Sequence, residues 1–175
     1  MARVVVLGIG NVLNSDDGLG PFAARTLQAG WDFPADAEVL DAGTPGMDLQ
    51  SLLHEAEAAI FVDAVRDQGA PGDVKRYDRE SILKGGTKTV MSPHEPGLRE
   101  ALLAMEFRGI GPAQVILWGA IPENLELGTE LSKALRGAVP AILAGVLEDL
   151  RRLGVEARRL ETPRDADIWW ERQAP

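Results

Sequence analysis

The 175-residue sequence contains no cysteine. That absence removes disulfide frameworks, thiolate metal sites and cysteine nucleophiles together, so any metal the chain meets must be held by oxygen and nitrogen. A basic charge balance is also missing. The formal net charge is -9 at pH 7, which argues against a nucleic-acid partner, because phosphate binding relies on clustered Lys and Arg that release counterions. The densest basic cluster, Arg151, Arg152, Arg158 and Arg159, alternates with Glu148, Asp149, Glu156 and Glu161. It reads as the solvated face of a terminal helix and the segment after it. No apolar run reaches membrane-spanning length, and the opening MARVVVLGIGNVLNSDDGLG breaks at Gly, Asn and Asp too early for a signal peptide. A cytoplasmic protein with no membrane or nucleic-acid partner is expected. No oligomerisation signal is present either, so a monomer is the default.

An apolar content of 45% is enough for one substantial core in a chain of this length. One domain over residues 1–161 is expected, followed by a tail, 162–175, that carries Trp169 and Trp170. Arg3 to Gly8 is a continuous β-branched run suited to a central parallel strand buried on both faces. A loop to Gly20 follows, then helical spacing from Pro21 to Ala29. Ala37 to Leu40 with Asp41 reads as a strand, Met47 to Glu57 as a helix, and Ala58 to Val62 as a buried strand that ends on Asp63. Val74 to Tyr77 is an edge strand, and Gly85 to Pro93 is irregular. Pro96 to Met105 is helical, Gln114 to Gly119 is a strand, and a long helix runs from about Leu131 to Leu153, softened at Gly137 and Pro140. The alternation predicts an α/β fold of three α/β/α layers, with a mostly parallel central sheet and ligands held beyond the carboxyl ends of the strands. Asp17, Asp41 and Asp63 are all placed there, and His94 precedes a helix that starts on the same rim.

Several chemistries fail on spacing. GIGNVLNSDDGLG lies where a dinucleotide fingerprint would, but Leu13 occupies the place of its third glycine and two acids repel a pyrophosphate, so no organic cofactor is expected. HExxH is absent, and His54 is read as lying in a helix away from His94. No Ser-His-Asp spacing is defensible, with Ser92 beside His94 the only nucleophile candidate. Of the pair Asp16 and Asp17, one is read as a helix N-cap and the other as a carboxylate directed into a cleft.

At this point the chain resembles the hydrogenase maturation endopeptidases. The blocks that carry the resemblance are GIGNVLNSDDGLG, DAGTPGMDL from Asp41, FVDAV from Phe61, APGDV from Ala70, SPHEPGL from Ser92 and WGAIPENLELGTELS from Trp118, in family order. The resemblance implies a phosphorylase/hydrolase-like α/β fold. It also implies an aspartyl-type endopeptidase that removes the C-terminal extension of a nickel-iron hydrogenase large-subunit precursor after nickel insertion. Asp17 and Asp63 match its metal-contacting carboxylates and His94 its imidazole, while Asp41 matches a functional acid of less defined role. The candidate catalytic residues are Asp17, Asp41, Asp63 and His94, with one of the three acids handling a proton. Glu95 departs from relatives that carry Gln after the histidine. Nickel, on this reading, arrives with the substrate. Two alternatives stand beside it. One is a non-catalytic nickel-checking assembly factor with the same ligands; the other is a peptidyl-tRNA hydrolase-like esterase, which shares a Gly-Asn after the first strand but needs a basic face.

Overall fold

The computed structural model describes residues 3–45, 48–84, 90–91 and 95–172. In chain order the elements are β1 (Val4–Ile9), a 3-10 turn (Ser15–Gly18), α1 (Leu19–Gly30), β2 (Trp31–Asp32), β3 (Ala37–Gly43), α2 (Leu49–Leu52), β4 (Ala58–Arg66), β5 (Val74–Asp78), α3 (Arg79–Lys84), β6 (Val90–Met91), α4 (Glu95–Phe107), β7 (Gln114–Ala120), α5 (Lys133–Arg152) and β8 (Arg158–Arg159). The main sheet has the order β3-β1-β4-β7-β5, with β6 added to the end of β4. The β1, β3, β4 and β7 pairings are parallel. β5 closes one edge antiparallel to β7.

Every residue of β1 is buried, because helices cover both faces of the sheet. Successive residues alternate between the two sides. Val4 and Val6 join Ile60, Val62 and the apolar stripes of α1 and α5. Val5 and Leu7 join Phe61, Leu53, Ile82, Leu102 and Met105 on the side of α2, α3 and α4. The result is the expected three-layer α/β/α architecture with a mostly parallel sheet.

The structure departs from the sequence reading in several places. β1 is interior, but the middle strand is β4. β4 runs on to Arg66 because Ala64 pairs with Ala120, and Val65 and Arg66 find partners in Met91 and Val90. Asp63 and Asp41 therefore lie inside strands rather than after their ends. The helix expected up to Glu57 is a single turn, α2; Glu55 has φ +63, which helical backbone does not allow. Met47 lies outside the described residues. Part of the stretch read as irregular forms β6. α5 passes unbroken through Gly137 and Pro140, since Pro140 is on its exposed side and Ala138, Val139, Ile142 and Leu143 hold the other. In the last segment Trp170 is buried and Trp169 half exposed. Ion pairs from Arg164 to Asp32 and from Asp167 to Arg25 fasten that segment to the body.

Candidate active site

The loop leaving β1 is pressed down onto the sheet, and glycines make the approach feasible. A Cβ on Gly20 would stand 2.1 Å from the Ile9 carbonyl oxygen and 2.3 Å from that of Val62, and one on Gly8 would stand 2.1 Å from the Gly20 oxygen. Gly10, with φ +139, would place a Cβ 1.8 Å from the Asp17 oxygen. Only a residue without a side chain fits such contacts. The start of α1 thus rests on the ends of β1 and β4, and the 3-10 turn before it packs against β4. Asp17 belongs to that turn. Its side chain is 3% exposed, and its Oδ2 accepts the Asn11 backbone N–H at 3.0 Å.

Asp16, beside it, has a different task. It is 0% exposed. Its Oδ2 accepts the N–H groups of Glu123 and Asn124 at 2.8 and 2.9 Å, and its Oδ1 accepts that of Ser132 at 2.6 Å. Neither acid of the pair caps the helix that follows: Gly18 is the N-cap of α1 and no side chain bonds there. The capping expectation is corrected accordingly. Asp16 instead latches residues 122–132 to the first loop, and Ser132 in turn caps α5 by accepting the Leu135 N–H. Acidity at Asp16 was visible in the sequence, but partners more than 100 positions away leave no local signal.

Asp63 is 3% exposed and faces Gly119 across the β4–β7 ladder. By strand alternation it points to the same side as Phe61 and Val65, which is the side of α4. α4 begins at Glu95, the residue after His94. His94 itself lies outside the described residues, as does Ser92. Asp41 is opposite Gly8 in the β1–β3 ladder and turns the other way, toward α1. There its Oδ2 accepts from Arg25 Nε at 3.0 Å and its Oδ1 from the Gly43 N–H at 3.2 Å. Asp17 and Asp63 are thus brought to one rim by the turn that lies on β4, while Asp41 is held on the opposite face.

His54 is not helical, as the sequence reading had it, but lies in the turn after α2 with its side chain 74% exposed. It lines a cleft of about 670 Å³ with Leu53, Glu57, Met105, Arg108 and Gly111. That cleft is at the end of the sheet where β4 and β7 begin, far from Asp63. Among the described residues no group of three His, Asp or Glu side chains is placed to hold a metal ion.

Residues 22–149 match the family model HycI, hydrogenase maturation protease. The hydrogenase 2 maturation protease of Escherichia coli K12 is 35% identical over 165 residues, which span 94% of this chain and 98% of that protein. The hydrogenase expression/formation protein HupD of Rhodobacter capsulatus is 35% identical over 160 residues, 90% of this chain and 75% of its own. Among solved structures, the hydrogenase maturating endopeptidase HybD from E. coli has a TM-score of 0.84 at 34% identity, covering 90% of this chain and 97% of that one. The NiFe hydrogenase maturation protease HybD from Thermococcus kodakarensis has a TM-score of 0.68 at 27% identity, covering 85% and 98%. A helix-covered, mostly parallel sheet with buried carboxylates on its rim is, in this company, the frame of a peptide-bond hydrolase. The chain belongs to the hydrogenase maturation protease family. Neither the peptidyl-tRNA hydrolase reading nor the non-catalytic one is favoured by these likenesses.

Proposed function

We propose that this protease removes the C-terminal extension of a nickel-iron hydrogenase large-subunit precursor once nickel has been inserted, and that Asp17, Asp63 and His94 meet that nickel as part of the substrate. The observation that carries the reading is the delivery of two buried carboxylates, Asp17 and Asp63, to one rim of the sheet. α4, whose first residue follows His94, lies on the face toward which Asp63 points.

Two oxygens and one nitrogen suit a divalent ion such as nickel, and three donors leave positions for substrate thiolates or a water. With no cysteine of its own, the chain has no thiolate with which to strip the ion from the precursor. Bound there, nickel supplies Lewis acidity toward the scissile carbonyl or an attacking water. Whichever of Asp17 and Asp63 takes the proton as the water oxygen adds to the carbonyl carbon would return it to the leaving nitrogen as the C–N bond breaks, which is aspartyl-type acid–base chemistry. Asp41 has both carboxylate oxygens engaged by Arg25 and Gly43, so we assign it to fixing the turn after β3 at the edge of the site. The catalytic unit is taken as residues 1–161, with 162–175 as a tail, working as a cytoplasmic monomer. Among the described residues no helix is long and apolar enough to cross a membrane.

The test is to incubate the protein with nickel-loaded and nickel-free precursor and follow loss of the C-terminal peptide by mass spectrometry. Cleavage of the loaded form alone is expected. Cleavage of both forms removes the metal-checking role, and cleavage of neither removes the reading altogether.

A further inference from the structure

Residues 10–20 and 121–132 form one continuous rim around the Asp17 turn. Ser15 N–H donates to the Gly128 carbonyl at 2.8 Å, Gly128 N–H to that of Leu13 at 2.9 Å, and Asp16 N–H to that of Asn124 at 3.1 Å. The Ser15 hydroxyl donates to the Glu126 carbonyl at 2.9 Å. With the fully buried Asp16 carboxylate beneath, these bonds fix the loop in place. Two of its leucines are nevertheless left in water: Leu127 is 88% exposed and Leu13 50%. They leave the chain at adjoining points, because the Gly128–Leu13 bond joins their backbones. Apolar side chains held out by a rigid support are anchors for another surface, since they bind without the entropy cost of ordering a loop.

Charge defines what that surface must be. Neither segment contains Lys or Arg, while Glu123, Glu126 and Glu130 are all exposed. A partner with an apolar side chain between basic residues matches the leucines and the acids together, and an acidic partner is repelled.

We infer that this acid-rimmed pair of leucines is where the protease grips its protein substrate, taking an apolar side chain flanked by lysine or arginine from the precursor segment near the cleavage point. The inference rests on the proposed cleavage reaction and names the part of that same site that selects the client.

The experiment measures initial cleavage rates against the concentration of purified nickel-loaded precursor, at two ionic strengths, for wild type, Leu127→Asp, Leu13→Ser and Glu123→Lys/Glu126→Lys. All the altered side chains are exposed, and circular dichroism confirms their folding. KM is expected to rise about tenfold in Leu127→Asp with kcat within about twofold. In the charge-reversed variant KM rises and becomes less sensitive to salt. An unchanged KM in all three variants overturns the inference, as does a loss confined to kcat. If Leu127→Asp dissolves a dimer in sedimentation, the occupant is a second copy and the inference again falls. A wild type that fails to cut the precursor brings down the cleavage reading itself, and this inference with it. That outcome is distinct from variants that cut as well as wild type.

Discussion

The Asp16 carboxylate accepts the Ser132 N–H at 2.6 Å across a sequence separation of 116 residues, and this one acid fastens the turn that carries Asp17 to the loop before α5. Replacing Asp16 with Ala leaves the Glu123, Asn124 and Ser132 amides without their acceptor. Charge-assisted bonds of this kind and buried orphaned donors together set the expected loss at about 2–4 kcal/mol. Hydrogen exchange at those amides should accelerate while exchange in β1 and β4 changes far less. Unchanged protection of the 122–132 segment would show that the latch is not what holds it.

Asp17→Asn, Asp63→Asn and His94→Ala are each expected to slow processing of the precursor by about 100-fold or more, on the scale of a lost acid–base or metal-contacting group. Far-UV circular dichroism should stay that of the wild type. A variant that processes within tenfold of wild type in a purified assay removes that residue from the site.

Much of this arrangement was legible in the chain. The runs RVVVLG, AAIFV and QVILWG announce buried parallel strands, and helical spacing announces α1, α4 and α5. What escaped depends on remote partners. The extension of β4 past Val62 exists because β6 and β7 pair with it. α2 stops early although its apolar spacing continues, because Leu53 turns into the core and Glu55 takes a positive φ. α3 was not anticipated at all; RESILK carries a single fully buried side chain, Ile82, too little for a periodic signal. At the site, the candidate acids Asp17, Asp41 and Asp63 were readable from their places beside the apolar runs. The distinct work of Asp16, and the turning of Asp41 away toward Arg25, were not.

Asp149 is a further buried acid, 2% exposed on α5. It accepts from Arg76 Nε at 2.9 Å, from Arg76 Nη2 at 3.1 Å and from Trp118 Nε1 at 2.8 Å. It therefore ties α5 to the edge strand β5 and to β7. Asp149→Ala removes a buried acceptor from Trp118 and from Arg76, whose own side chain is 39% exposed, and is expected to cost about 1–3 kcal/mol. The Trp118 indole proton should lose its hydrogen-bonded shift in NMR spectra, and full retention of stability would contradict the assignment.

Acid should weaken the fold through a small set of carboxylates. The Tyr77 hydroxyl, at 2.7 Å, and the Gln68 N–H hold Asp67 below its ordinary value of 3.8. Arg158 and Arg164 do the same for Asp32, and the Ser81 backbone N–H does so for Asp78. Because the folded state lowers these values, the stabilisation is fully present above the unfolded value and is lost as pH falls past 3.8 toward the folded one. Melting temperature followed from pH 7 down to about 3 should fall at the acid end, and Tyr77→Phe should flatten part of that slope. An identical acid slope in the variant would exclude the Tyr77–Asp67 bond as a contributor.

The bare backbone contact of Gly8 with Gly20, and of Gly10 with Asp17, also bears on ancestry. A side chain at Gly10 forces the Asp17 turn off the strand ends, whereas one at Gly8 or Gly20 also disturbs the packing of α1 on β1 and β4, since a Cβ at Gly8 would stand 2.9 Å from that of Ala24 in the core. At Gly10, loss of cutting would then precede loss of shape. In genomes that carry several copies of such a gene, a larger residue at the position of Gly10 is expected to mark the copy that still folds but has retired from cutting, a distinction open to anyone with the sequence alone.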